Sequence, residues 1–361
     1  MRVLVVSSYD TFGTGERTRN LINNIKDFDF DFITPPNPQN KFLSDNINII
    51  EITPGAKLGT VVRLYKKFFK RYDLFHGFKP LPCSIRGITE KFRGVPFLLD
   101  WDDIEGSQGL SGRDSWLRRN TIDFSQSFIA RFADRITVVS PFLEKLASRF
   151  APADLIPNGV DTRDFTPRFK SDLKERLGIK EELIVFTGIL GRSTDLDFIL
   201  ESMRYVERGK LLVVGDGPRC GELKEYSRKM GVGDKIIWYG LESREKIPGI
   251  LASSDIGLLP MKKNMENEAR FPIKFGEYMA SGLPIVTNNV GAVRAVIENG
   301  KNGILTQENP KDFGEAINRL VKSESLRKKI SKGARETAKE KLEWKKISAR
   351  LEKIYKELVH F

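Results

Sequence analysis

Cysteine and histidine are nearly missing from this chain, with two of each in 361 residues. Cys83 and Cys220 stand far apart, in segments that read as different domains. That excludes a disulfide framework and a metal-ligand spacing, and both read as reduced thiols that behave as small apolar residues. Long apolar runs are missing too. No stretch reaches about 18 apolar residues, so no spanning helix is expected. Met1 leads straight into the strand-like Arg2-Val-Leu-Val-Val, which argues against a signal peptide and makes a cytoplasmic protein the expectation. Low-complexity tracts and short-period repeats are absent. Acidic residues are the minority: 48 Asp and Glu stand against 60 Lys and Arg, for a net charge of +12. Such a surplus favours anionic partners, whether nucleic acid, anionic lipid or phosphorylated small molecules. No zinc, helix-turn-helix or RNA-recognition signature accompanies it, so nucleic acid is not expected.

What is present is alternation. A chain of this length exceeds what one core holds, so two domains are expected. Arg2-Val-Leu-Val-Val-Ser-Ser8 is a short apolar run, followed by Gly13-Thr-Gly15 and a helical pattern with Leu21, Ile22 and Ile25 on one face. A buried strand, a glycine turn and a helix start open a doubly wound α/β domain. Strand-like runs recur at 30–33, 47–52, 73–76, 96–100, 135–139 and 154–156, with helical patterns between them. The turn-rich Ile156-Pro-Asn-Gly-Val-Asp161 and Asp164-Phe-Thr-Pro167 mark a boundary between about residues 160 and 180. A second series runs through 183–188, 210–215, 235–240, 256–260, 284–287 and 303–306, and the chain closes in a helix-forming tail over 324–361. The fold class predicted is α/β: two doubly wound Rossmann-like domains facing a central cleft, with ligands at the carboxyl ends of the strands. The expected division is 1–165, 166–340, and a terminal helix over 341–361 that packs back on the first domain.

The richest stretch is Arg270-Phe-Pro-Ile-Lys-Phe-Gly-Glu-Tyr-Met-Ala-Ser-Gly-Leu-Pro-Ile-Val286. Lys274 and Glu277 are three apart on a predicted helix and share a face, and Pro272 suits its first turn. Free N–H groups at a helix start, one cation and one carboxylate suit a nucleoside diphosphate. The cation meets phosphate, and the carboxylate accepts from ribose hydroxyls. A plain surface salt bridge explains the same spacing.

This stretch resembles the donor-site signature of retaining GT-B glycosyltransferases of family 4. Other pieces fall in the family's order: Arg135-Ile-Thr-Val-Val-Ser140, Ile156-Pro-Asn-Gly-Val-Asp161, Leu212-Val-Val-Gly-Asp-Gly-Pro218, Ile237-Trp-Tyr-Gly240, Asp255-Ile-Gly-Leu-Leu-Pro260 and Gly300-Lys-Asn-Gly303. The resemblance covers about residues 130 to 305 and implies transfer of a hexosyl or N-acetylhexosaminyl group from a UDP- or GDP-sugar, with no cofactor or metal required. It implies that Glu277 holds the donor ribose, and that Gly188, Tyr239 and Gly240 line the donor site. The final helix, with Trp344 and Tyr355, is similar to the family's terminal segment. There are departures. The first Glu of the family's Glu-x7-Glu pair falls at Ala269, with Glu268 one residue off, and the usual pyrophosphate Arg and Lys read Ile189 and about Thr194. Lys274, Arg270 and Arg192 are therefore the candidates for neutralising the diphosphate as charge develops on it.

Gly13-Thr-Gly15 stands at the family's glycine loop, where backbone N–H groups approach an oxyanion; Arg17, with Glu16 and Arg19, is placed toward the acceptor side. Leu98-Leu-Asp-Trp-Asp-Asp103 ends a predicted strand in carboxylates, and Asp102 and Asp103 stand where the family has a His-Asp pair. Either can orient or deprotonate an acceptor hydroxyl. Mg²⁺ binding and strand-end capping are the competing readings. His76 is placed at a strand end as an acceptor-side contact, or as a structural histidine. Over 57–71, Leu58, Val61, Val62, Tyr65, Phe68 and Phe69 recur at helical spacing among Arg63, Lys66, Lys67, Lys70 and Arg71. A basic helix with aromatics can lie on an anionic bilayer, as could an extension over 106–120; an ordinary core helix explains the same pattern. The expected acceptor is a sugar or lipid-linked sugar, reached at the inner face of the cell membrane. Two other classes remain: a degenerate GT-B protein that binds nucleotide or glycan without transfer, and a nucleotide-sugar epimerase. The second calls for more catalytic acids and histidines than the chain offers.

Overall fold

The computed structural model describes residues 1–7, 14–52, 72–104, 116–169 and 171–360. The segment 57–71, the greater part of 106–120, and Gly13 lie outside them.

Two parallel sheets organise the chain. The first has seven strands in the order β3-β2-β1-β4-β5-β6-β7, with β1 Arg2–Val6, β2 Asp29–Thr34, β3 Ile47–Glu51, β4 Leu74–Phe78, β5 Phe97–Trp101, β6 Arg135–Val138 and β7 Ala153–Leu155. The second has six in the order β10-β9-β8-β11-β12-β13, with β8 Leu183–Thr187, β9 Lys210–Val214, β10 Ile236–Gly240, β11 Ile256–Leu259, β12 Ile285–Asn288 and β13 Ile304–Thr306. Both are doubly wound. Each grows outward from a central strand, first to one side and then to the other, and the reversal falls between β1 and β4 and between β8 and β11. The strands read as unbroken apolar runs because helices cover both faces of a parallel sheet; Leu183 to Phe186 and Val3 to Val5 have no exposed surface.

The chain divides into two compact units, Met1–Asn158 with Trp344–Phe361, and Gly159–Glu343. The division thus falls after Asn158 and after Glu343, where residues 165 and 340 were expected. Helix Trp344–Val359 belongs to the first unit because its apolar stripe has somewhere to go. Trp344, Ile347, Leu351, Ile354 and Tyr355 recur at three- and four-residue spacing and pack with Phe28, Phe30, Leu74 and Leu98. Tyr355 meets the Phe28 ring edge-on at 5.3 Å, a geometry worth about 0.5–1.5 kcal/mol beyond burial. At the rim Lys356 pairs with Asp27 and Arg135 with Glu357.

A buried ion pair anchors the first unit. Arg17, on helix Thr14–Asn23, is fully buried. Its Nε and Nη2 donate to the two carboxylate oxygens of Asp100 at 2.9 and 2.8 Å. Nη2 also donates to the Ile156 carbonyl at 2.8 Å, and Nη1 to Asn158 Oδ1 at 3.1 Å. The expectation that Arg17 faces an acceptor is therefore corrected. Its guanidinium is spent on tying β5 and the end of the unit together.

Candidate functional site

The second sheet places a group of side chains at the carboxyl ends of its strands. After β8 the chain turns at Gly188, whose φ of +144° suits glycine alone. A Cβ there would lie 2.5 Å from Lys274 Nζ. Gly215, after β9, has φ +139°, and a Cβ on it would lie 1.9 Å from the Gly188 carbonyl oxygen. The two strand-end loops thus touch backbone to backbone. Gly215 N also donates to the Gly240 carbonyl at 2.7 Å, which ties in the end of β10.

Helix Ile273–Ala280 supplies the charged groups. It starts after Pro272 and buries Phe275, Gly276, Tyr278 and Met279, so its register is fixed by the core. Lys274 and Tyr278, one helical turn apart, hold the same residue from two sides. Lys274 Nζ donates to the Thr187 carbonyl at 2.6 Å, and Thr187 N donates to Tyr278 Oη at 2.8 Å. The Lys274 ammonium also lies 4.5 Å from the centroid of the Phe186 ring. Burial, seconded by the nearby Arg270 cation, pulls Lys274 down to about 8, with Glu277 opposing.

Glu277 is 4% exposed and pairs with Arg244 Nη1 at 2.5 Å. Arg244 comes from the turn Arg244–Lys246 that follows β10, and its guanidinium lies 5.0 Å from the Phe165 ring centroid. A carboxylate has about four acceptor sites, so a single arginine does not exhaust it. Arg270 caps the short helix Met265–Ala269. Its Nη1 stands 3.6 Å from Glu266, while its Nε is buried without a partner. Burial raises the Glu266 carboxyl, against the pull of Arg270. Arg192 is exposed on the turn Arg192–Thr194 beyond Gly188. The next residue, Asp195, takes a left-handed φ of 48° and accepts from Lys262 N at 3.0 Å and Asn267 Nδ2 at 2.9 Å. Tyr239 and Gly240 are partly buried at the end of β10. Ala269, at the position of the resemblance's first Glu, has no exposed surface. Glu268 pairs with Arg294 at 3.4 Å.

The structure therefore brings Gly188, Lys274 and Glu277 to one end of the second sheet. Tyr278 and Arg244 were missed from the sequence. Tyr278 carried a signal in its one-turn spacing from Lys274; Arg244, distant in sequence from Glu277, carried none.

In the first unit, Gly15 is buried in helix Thr14–Asn23. Asp102 and Asp103 follow β5, where Asp103 Oδ1 accepts from Ile104 N at 2.8 Å and its carbonyl from Trp101 Nε1 at 2.9 Å. His76 is corrected. It lies in the middle of β4, fully buried, with Nδ1 2.6 Å from Tyr355 Oη. Burial pulls it down to about 3, so it is a neutral core side chain and cannot reach an acceptor. Among the described residues no group of three or more His, Cys, Asp or Glu is arranged to hold a metal.

Comparison with known proteins adds family and fold. Residues 169–337 match the model of the family Glycosyl transferases group 1. An uncharacterized glycosyltransferase of Methanocaldococcus jannaschii is 26% identical over 235 residues, covering 61% of this chain and 59% of the relative. The chain thus spans about three fifths of that curated relative's length. The whole fold is similar to sucrose-phosphate synthase from Thermosynechococcus elongatus, with a TM-score of 0.80, 18% identity and 100% of both chains covered. It is equally similar to Anabaena HepE in complex with UDP-glucose, at a TM-score of 0.80 and 18% identity over 99% of this chain and 100% of that one.

Proposed function

We propose, from the match of residues 169–337 to the model of the family Glycosyl transferases group 1, that the chain is a retaining glycosyltransferase that moves a hexosyl or N-acetylhexosaminyl group from a UDP- or GDP-sugar to a sugar acceptor. The observation that carries this reading is the seating of Lys274 Nζ against Thr187 and Gly188. They stand at the strand-order reversal of the second sheet, where ligands of doubly wound sheets bind. In the proposed roles, Lys274 faces the diphosphate, with Arg270 and Arg192 as further cations. Glu277, steadied by Arg244, accepts from the ribose hydroxyls, and Tyr239 and Gly240 lie at the base side. Such cations matter most as the bond to the leaving phosphate breaks, because charge grows there. Asp102 and Asp103 serve the acceptor, one of them orienting or deprotonating its hydroxyl. Gly13 and Gly15 are assigned in this reading to binding the donor, as backbone N–H groups suited to an oxyanion. The acceptor in this reading is a lipid-linked sugar at the inner face of the membrane, met through residues 57–71. No helix among the described residues is long and apolar enough to cross a bilayer.

A second reading, a protein that binds nucleotide without transfer, is favoured by Ala269, where a buried methyl replaces a carboxylate. One pair of measurements separates the two. A thermal-shift screen of UDP, GDP and their sugars reports binding, since a ligand of the native state raises the melting temperature. Product analysis on the stabilising sugar reports turnover and the anomeric outcome. Stabilisation without any hydrolysis or transfer supports the binding protein, and an inverted product overturns retention.

A further inference from the structure

The register of β8 with β11 ends at Val185, while its register with β9 runs on to Thr187. Past that point helix Ile273–Ala280 meets the strand with side chains. The Thr187 N–H donates to Tyr278 Oη at 2.8 Å, and the Thr187 carbonyl accepts from Lys274 Nζ at 2.6 Å. Both polar groups of one backbone residue are thus bound by one helix, and the Thr187 hydroxyl lies 3.1 Å from the same phenol oxygen. The sequence makes room for this clamp. Gly257, on β11, leaves open the space that the phenol ring fills, since a Cβ there would stand 2.7 Å from Tyr278 Cδ2. Tyr278 has no exposed surface, so it is out of reach of any ligand. Burial pushes its phenol well above the ordinary value, so it keeps its proton wherever Lys274 titrates.

We propose that Tyr278 is a positioning residue: by anchoring the Thr187 peptide, it fixes where the Lys274 ammonium stands at the strand-order reversal of the second sheet. The proposal rests on the reading of Lys274 as the cation that meets the diphosphate.

The physical link runs through the backbone. A buried N–H does not stay unpaired. Without the phenol oxygen, the end of β8 must shift to reach water or another acceptor, and the Thr187 carbonyl shifts with it. The Lys274 ammonium lies in a space bounded by that carbonyl, the bare α-carbon of Gly188 and the Phe186 ring. Two charged groups bear on it. Arg270 opposes its charge, and Glu277, itself paired with Arg244, favours it. Burial comes before either in lowering its proton affinity. A loosened strand end admits water to the ammonium and so reverses the largest of the three effects.

The test is Tyr278→Phe, which removes one oxygen and keeps the ring against Gly257. In the free protein, the Lys274 titration is read by NMR of isotope-labelled lysine Cε, assigned through Lys274→Met. Its midpoint should rise in Tyr278→Phe by about half a pH unit or more, toward the ordinary lysine value. Calorimetry with UDP or GDP at neutral pH should show an affinity loss of about fivefold or more, with the nucleoside unchanged, because the ammonium keeps its proton there but loses its place. In a Lys274→Met background, Tyr278→Phe should cost no further diphosphate affinity, since its effect passes through the ammonium. A folded Tyr278→Phe protein with the wild-type Lys274 titration overturns the proposal. So does an additive loss in the double variant, or an equal loss for nucleoside and nucleotide, because Tyr278 is then a core side chain only. A wild type that binds neither UDP nor GDP brings down the transferase reading, and the lysine titration of the free protein then judges the proposal by itself.

Discussion

Lys274 Nζ is held 2.6 Å from the Thr187 carbonyl oxygen, in space that only the bare α-carbon of Gly188 leaves open. The contact fixes a cation at the end of β8 and gives it an unusual titration. With burial and Arg270 pulling it down to about 8, Lys274 loses its proton within an accessible range. The ammonium is the form that attracts a diphosphate. Affinity for UDP or GDP should therefore fall as pH rises through about 8, while affinity for the nucleoside stays flat. Lys274→Met should remove that limb and cost about 1.5–3 kcal/mol of diphosphate binding at neutral pH. Titration calorimetry across pH checks both. Equal losses for nucleoside and nucleotide would make Lys274 a fold element.

The Arg244–Glu277 pair makes a prediction with two arms. Glu277→Gln should weaken nucleotide binding by about 1.5–3 kcal/mol, the range for losing a charged hydrogen-bond partner. Arg244→Ala should act more gently, because the arginine is half-exposed and its pair is partly screened. Its effect should appear as a loosened Glu277: poorer nucleotide binding with the nucleoside affected equally, since ribose is common to both. A folded Glu277→Gln protein of unchanged nucleotide affinity removes this carboxylate from the site.

The two sheets were legible because each strand is a short apolar run bounded by turn residues, a pattern that survives without tertiary context. Lys274 and Glu277 were legible because helical spacing alone puts them on one face. Arg17 and His76 were not. Arg17 sits among polar neighbours on its helix, and nothing local says that Asp100, 83 residues on, will take it inward. His76 belongs to a strand buried throughout, Leu-Phe-His-Gly-Phe. Such a strand lacks the polar alternation that would mark an inward or outward side, and it runs to Phe78, beyond the end expected from sequence.

Breaking the Arg17–Asp100 pair should be costly. Both side chains are fully buried, so removing one leaves the other charge without its counter-ion, a loss of about 3–5 kcal/mol. Arg17→Met should lower stability in urea by that order. The double change to Arg17→Met and Asp100→Leu should recover part of it. An additive double variant would mean that the two residues act independently.

The carboxylates after β5 are predicted to affect transfer and spare donor binding. Asp102→Asn with Asp103→Asn should reduce turnover to acceptor while the thermal shift from nucleotide stays near that of the wild type. Because Asp103 Oδ1 accepts from Ile104 N, and an asparagine oxygen can do the same, the loop should keep its shape. A fully active double variant would leave these residues as strand-end caps.

His76 and Tyr355 tie helix Trp344–Val359 to β4, and their contact predicts how the protein responds to acid. His76 titrates near 3 in the fold because burial disfavours its charged form, whereas an unfolded chain takes up the proton near 6.5. Above about 6.5 neither state is protonated at this site, and its contribution is fully present. Below that, the unfolded state gains a proton that the folded state refuses until about 3. Stability should therefore fall steadily with acid across that window, by at most about 1.4 kcal/mol per pH unit. Carboxylates join only in the lower part of the window, so the upper part isolates the imidazole; the other histidine, His360, is exposed. His76→Phe should abolish the decline between about pH 6.5 and 5, at the expense of about 1–3 kcal/mol at neutral pH for a Tyr355 hydroxyl left buried without its partner. Urea unfolding followed over this range measures both effects. An undiminished acid slope in His76→Phe would show that the proton uptake lies elsewhere, and that burial of this imidazole is not what limits the fold in acid.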